Sequence, residues 1–258
     1  MRISAFFVPF FSLLAGVCGF FLRMSELSNV FDPVTGLPDR GAATTLWLIS
    51  LSVAFLAPVI IFAVTLTFRH KAPRGFENAF GTDPVFYPVI FVLIGIAWIV
   101  GTYLYYSDIS ASLNMQMIEV YFIALSALAA ICVTFFAIEM FQDSRRKAQY
   151  MLSIVPTIFF CFWLILTYRQ NASNPVLLSY VYLCLALVSS ALSFYFTSGF
   201  LYDKPGPGKA TVAYCAAIYF CMVTLADDHH LSIKLILGAV IAANTVHLAM
   251  LLRNLQRR

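Results

Sequence analysis

Four consecutive residues, Asp227-Asp228-His229-His230, form the densest group of side chains able to bind a metal or carry a proton, and Lys234 follows four positions after His230. Carboxylates and imidazoles are natural ligands for Zn²⁺ and similar cations, and histidine titrates near neutral pH. Adjacent residues cannot all face one ion, however, and no spaced pair such as HxxxH accompanies them. A metal site at Asp227, Asp228, His229 and His230 therefore needs help from elsewhere, with Asp108 or Glu119 alongside. The alternative is a solvated turn between two helices.

Glu119 and Lys234 each stand about one turn into apolar sequence, where a lone charge is costly to desolvate. Their opposite signs predict a pair, with Asp108, Glu119 and Lys234 lining a polar outer vestibule beside the Asp/His turn. Asn244, Thr245 and His247 lie deeper in the last apolar run. At about 100° per residue, Asn244 and His247 share part of one helix face. An ionisable group at that depth marks either a working site or a hydrogen bond to a neighbouring helix.

Other chemistry is missing from the sequence. There is no GxSxG, no HExxH, no Walker loop and no pair of intramembrane aspartates, so no enzyme class is assigned and no cofactor is called for. Cys18, Cys132, Cys161, Cys184, Cys215 and Cys221 all fall in apolar runs without a CxxC, which reads as small buried hydrophobes.

The elements that must position these residues are hydrophobic. Of 258 residues 61% are hydrophobic and 11% charged, with a mean hydropathy of +0.87, whereas a soluble domain carries about twice that charge. Apolar runs near 3–22, 45–67, 86–106, 117–140, 150–168, 176–200, 210–226 and 232–252 each match a hydrocarbon core about 30 Å thick at about 1.5 Å per residue. The expectation is an all-α, polytopic integral membrane helical bundle of about eight transmembrane helices forming one domain. The first run is too long for a signal core and lacks an A-x-A site, so it is read as a retained helix. The fourth and eighth runs each carry one ionisable residue near the start (Glu119, Lys234), continue through small residues and end in a basic cluster, and Arg23 and Arg169 end the first and fifth runs alike, which suggests a weak four-plus-four repeat, 1–147 and 148–258.

Walking the loops from an inside N-terminus places Arg2, the Arg69/Lys71/Arg74 group, Arg145 to Lys147, Lys204 with Lys209, and Arg253 with Arg257 and Arg258 on one side. Those are twelve of the sixteen Lys and Arg, leaving only Arg23, Arg40, Arg169 and Lys234 opposite. Cytoplasmic loops are enriched in Lys and Arg, so both termini are expected in the cytoplasm, and the membrane is taken to be the plasma membrane. The net charge of +4 comes from these short clusters and gives no continuous stripe for nucleic acid.

Tyr103, Tyr105, Tyr106, Tyr121, Tyr168, Tyr180 and Tyr182 gather near the outer ends of the middle runs, as headgroup anchors do. Small residues at Ala124, Ala127 and Ala130, and at Gly238, Ala242 and Ala243, predict that the fourth and eighth runs sit in the bundle interior. The loop from Met24 to Thr44 mixes turn formers with Val30, Phe31, Val34 and Leu37, which predicts a folded outer cap. The loop from Phe68 to Val85 sets Phe76 and Phe80 four apart among basic residues, as an interfacial helix on anionic lipid or a docking surface for a protein partner would. The lipid bilayer is the expected main partner. The leading functional reading is binding or transport of a small solute or cation, alone or within a complex; the alternative is a non-transporting receptor, sensor or assembly factor.

Overall fold

In hydrocarbon a chain must satisfy its own backbone donors and acceptors, which favours helices for apolar runs of this length. The computed structural model describes residues 4–31, 37–39, 41–71, 75–81, 86–111, 116–139, 153–174 and 176–257. In chain order its helices are α1 Ser4–Asn29, α2 Ala43–Arg69, the short α3 Phe76–Phe80, α4 Phe86–Ala111, α5 Met117–Glu139, α6 Val155–Gln170, α7 Val181–Leu201, α8 Pro207–Thr224 and α9 Leu231–Asn254. A 3₁₀ turn, Leu177–Ser179, precedes α7. Two-residue strands β1 His70–Lys71 and β2 Gln256–Arg257 pair antiparallel. The turn formers Asp32 to Gly36, Arg40, and the basic group Arg145 to Lys147 lie outside the described residues.

Six of these helices, α1, α2, α4, α5, α7 and α9, are long and apolar enough to cross a membrane. The chain is therefore a helical membrane protein. Helices α6 and α8 are shorter, at 16 and 18 residues.

The most enclosed element is α8, which packs on α1, α2, α7 and α9. Its composition explains the position, because Ala210, Ala213, Ala217 and Gly208 leave room for neighbouring backbones. Glycines on α1 complete the fit: a Cβ at Gly19 would meet Val223 at 2.7 Å, and one at Gly16 would meet Met222 at 2.8 Å. Helix α9 packs on α8 and α4, with Gly101 lying against the Ser232 carbonyl. From α4 the chain continues through neighbours α5, α6 and α7 and returns to α8, so α4 to α9 enclose a common interior.

Aromatic rings fill that interior. Trp98 lies 5.7 Å from Phe159 and 5.8 Å from Phe160, and Phe160 stacks 5.7 Å from Phe194. The Trp98 indole N–H donates to Ser126 at 3.1 Å, and Thr102 shares a 2.7 Å hydrogen bond with the same hydroxyl, so the polar atoms here are served locally.

Two expectations change. The small residues of the fourth run place α5 at the edge, between α4 and α6, and only 33% of its apolar window is buried against 67% for α9. Small residues permit close approach on one face without requiring burial all round. The second change concerns Phe76 and Phe80, which turn into the protein and away from the bilayer. Phe80 is fully buried, 5.2 Å from the rings of Phe200 and His247, and Asn254 donates to the carbonyls of Ala79 and Gly81 at 3.0 and 2.9 Å. The ends of α7 and α9 offer these rings a protein pocket, so α3 closes that end of the bundle. At the opposite end a Phe31 to Pro38 bridge and a 2.9 Å bond from Asp39 N–H to the Val30 carbonyl draw together the base of the loop after α1.

Candidate functional site: a buried ionic cluster and an adjoining cleft

Helix α1 does not stop at Leu22 but continues to Asn29, which puts Arg23 and Glu26 one turn apart on the same face. The Arg23 Nη1 donates to Glu26 Oε2 and Nε donates to Asp227 Oδ1, each at 2.7 Å. Its guanidinium carbon lies 4.8 Å from the Tyr182 ring centroid, and Nη2 reaches the Ser179 carbonyl at 3.5 Å. Glu26 accepts a second bond, from the Thr45 hydroxyl at 2.6 Å. One arginine thereby joins α1, the turn between α8 and α9, and the segment leading into α7, while Glu26 adds the start of α2. Arg23 and Glu26 are wholly buried, and Asp227 nearly so. Such a cluster holds only because the opposite charges and hydrogen bonds offset desolvation.

The remaining Asp227 oxygen, Oδ2, lies 4.0 Å from His229 Nε2. Neither atom has a hydrogen-bond partner among the described residues. Burial pushes the Asp227 carboxyl above its ordinary range, against the pull of the Arg23 guanidinium. Burial also lowers His229 below its ordinary value, and the Lys234 ammonium acts in the same direction. His229 is therefore held as a neutral ring beside an acid already engaged by arginine.

His229 and His230 stand at one side of a cleft of about 320 Å³. Thr167 and Gln170 of α6, with Asn171 just past its end, supply its polar wall, and Ser179 with Tyr180 from the turn before α7. Phe122 and Trp163 line it with apolar surface and stack edge to face at 5.4 Å. Imidazole, amide and hydroxyl groups around an aromatic wall suit a small molecule with one apolar face and one hydrogen-bonding edge. No lysine, arginine or carboxylate is among the residues lining the cleft.

The residues singled out from the sequence are distributed as follows. Asp227 joins the ionic cluster, His229 and His230 the cleft, and Asp228 is exposed. Among the described residues no group of three or more His, Cys, Asp or Glu is placed to hold a metal ion. Asp108 is exposed near the end of α4. Glu119 accepts the Gln116 N–H at 2.9 Å at the start of α5, and no ion pair within 4.0 Å joins it to Lys234 among the described residues. Lys234 is half-buried in the first turn of α9 and acts electrostatically on Asp227 and His229.

Asn244 and Thr245 donate to carbonyls of their own helix, Val240 at 2.9 Å and Ile241 at 2.7 Å. His247 is fully buried among Phe80, Phe91, Phe194 and Tyr214, with centroids 4.7 to 6.4 Å away. Of the tyrosines near the helix ends, Tyr103, Tyr106, Tyr121 and Tyr168 are exposed, as lipid-facing anchors are, whereas Tyr182 is buried beneath Arg23 and Tyr105 lines the cleft.

Arg23 and Glu26, Thr45, and Tyr182 lie on three separate helices, so the sequence does not display them as a group. The available signal was an Arg and a Glu three residues apart just past an apolar run. The chain matches no known protein family, no curated protein and no solved structure.

Proposed function

We propose that this chain is a membrane-embedded binding protein of the receptor or sensor type, which holds a small solute in the cleft beside His229 and His230 and does not pass it across the bilayer. The observation that carries this reading is the packing of the interior enclosed by α4 to α9. Beyond Phe122 and Trp163 stand Trp98, Phe159, Phe160 and Phe194, with ring centroids 5.1 to 6.3 Å apart. A translocation path for a polar solute or cation needs hydrated or coordinating groups at that depth. The same crowding weakens the transport reading. The ionic cluster supplies a route for a response, since His229 lines the cleft while Asp227, 4.0 Å away, is bonded to Arg23 on α1.

All eight long helices are taken to cross the plasma membrane, with the Arg23 end outside and both termini in the cytoplasm. The distribution of twelve of the sixteen basic residues supports this orientation.

The binding reading is tested by screening small uncharged solutes for thermal stabilisation of the purified protein. A hit is expected to lose its effect in Thr167→Trp, which fills the cleft, and to show no uptake into proteoliposomes beyond that of protein-free vesicles. Saturable uptake of the same solute would reverse the choice between binding and transport.

A further inference from the structure

A second and larger cleft, of about 660 Å³, opens at the opposite end of the bundle, where α2 and α7 finish and α8 begins. Its size lies within the range of ligand sites, roughly 300–1,000 Å³. Two lysines, Lys204 and Lys209, line it, and both are exposed. They bracket Pro205-Gly206-Pro207-Gly208, a segment without a side-chain donor or acceptor, which leads into α8 with proline in its first turn and no side-chain cap. Gly208 is what lets this turn reach the wall: a Cβ there would lie 2.6 Å from the Ala63 carbonyl of α2 and collide with the Thr67 hydroxyl. Asp203 is the acidic neighbour in sequence, and it forms no ion pair with either lysine among the described residues.

The other side of the cleft is aromatic. Tyr195 and Phe196 of α7 line it, and Tyr195 is 57% exposed on the helix surface that a bilayer would cover. The cleft thus carries positive charge at its membrane-boundary end and apolar surface toward the hydrocarbon. That polarity matches an anionic amphiphile, with ammonium groups for the acid and rings for the chains.

We infer that this cleft binds a phosphate-bearing amphiphile, with the phosphate on Lys204 and Lys209 and the acyl portion along Tyr195 and Phe196. A membrane phospholipid is the occupant that this combination of groups fits, and free phosphate is the other source of the same chemistry. The site is remote from the His229 cleft and does not depend on what binds there.

The test uses the full chain in nanodiscs of phosphatidylcholine with added phosphatidylglycerol, then extraction and native mass spectrometry to count retained phosphatidylglycerol. The parent is expected to retain it, and the double variant Lys204→Gln, Lys209→Gln to lose it by roughly tenfold or more, since each lysine near a phosphate favours binding. Arg253→Gln removes a basic residue at the same end that does not line the cleft, and is expected to behave as the parent. Equal retention by the double variant and the parent would overturn the site. A parallel arm adds inorganic phosphate alone to the detergent-solubilised protein. Stabilisation of the parent but not of the double variant by phosphate, with no phosphatidylglycerol retained by the parent, would overturn the lipid as the occupant; retention of phosphatidylglycerol with no effect of phosphate supports it.

Discussion

Arg23 holds together the buried ionic cluster at its end of the bundle. Two carboxylates, those of Glu26 and Asp227, are buried against its guanidinium. Deleting one member of a buried ion cluster leaves uncompensated charge, which costs roughly 3–5 kcal/mol. Arg23→Met is expected to lower the unfolding temperature in detergent markedly, whereas Asp108→Asn, at an exposed position, is expected to leave it unchanged. Equal melting of Arg23→Met and the parent would mean that the cluster contributes nothing net. His229 makes a pH prediction with a definite sign. Its folded value lies below the ordinary 6.5, so the native state binds fewer protons than the unfolded chain. Its contribution is present above about 6.5 and is lost as the pH falls toward the folded value. Asp227, shifted upward, works in the opposite direction, so the two are separated by variant. The difference in unfolding temperature between parent and His229→Asn is expected to shrink on going from pH 7.5 to pH 5; a constant difference would exclude His229 as a linked proton site.

At the scale of elements, close helix approach decides which small residues matter. Gly208→Ala would force the start of α8 off the Ala63 carbonyl and is expected to destabilise the protein, while Gly238, with open space where a Cβ would stand, should accept alanine and gain up to about 1 kcal/mol. Thermal melting of the two variants checks both signs, and destabilisation by Gly238→Ala would contradict the packing of α9. The helix α3 makes a similar claim: Phe80→Ala should cost roughly 3–5 kcal/mol, because its ring is enclosed by Phe200 and His247. A ring lying on lipid would instead be replaced at little cost. The positions of the long helices were legible in the sequence, since apolar runs are local, although α1 runs on from Leu22 to Asn29 through the polar residues Arg23 and Glu26 that the apolar pattern leaves out. The role of Phe76 and Phe80 was not, because a four-residue aromatic spacing describes one helix face without saying whether lipid or protein covers it. The burial of α8 left a readable trace in Ala210, Ala213, Ala216 and Ala217, obscured by Lys209 and the tyrosines in the same run.

For the whole molecule, non-local contacts explain what sequence reading reached and what it missed at the site. His229 and His230 stood out because polar residues are scarce here. Their partners did not, since Thr167, Gln170, Asn171 and Ser179 come from other elements and Arg23 lies 204 positions from Asp227. Charge alone suggested Glu119 for Lys234, although a nearby N–H already serves Glu119. The proposed binding role requires a cleft that ends on packed aromatic rings, so that solute is held and not conducted. Its most direct test is thiol accessibility in a background with all six native cysteines replaced, using a small membrane-impermeant reagent on proteoliposomes of known orientation. A cysteine at Asn171, on the cleft wall, is expected to react from the outer side, and a cysteine at Ser193, fully buried on α7, from neither side. Modification at Ser193 from either side would reveal an aqueous path into the packed interior and contradict a binding role without conduction.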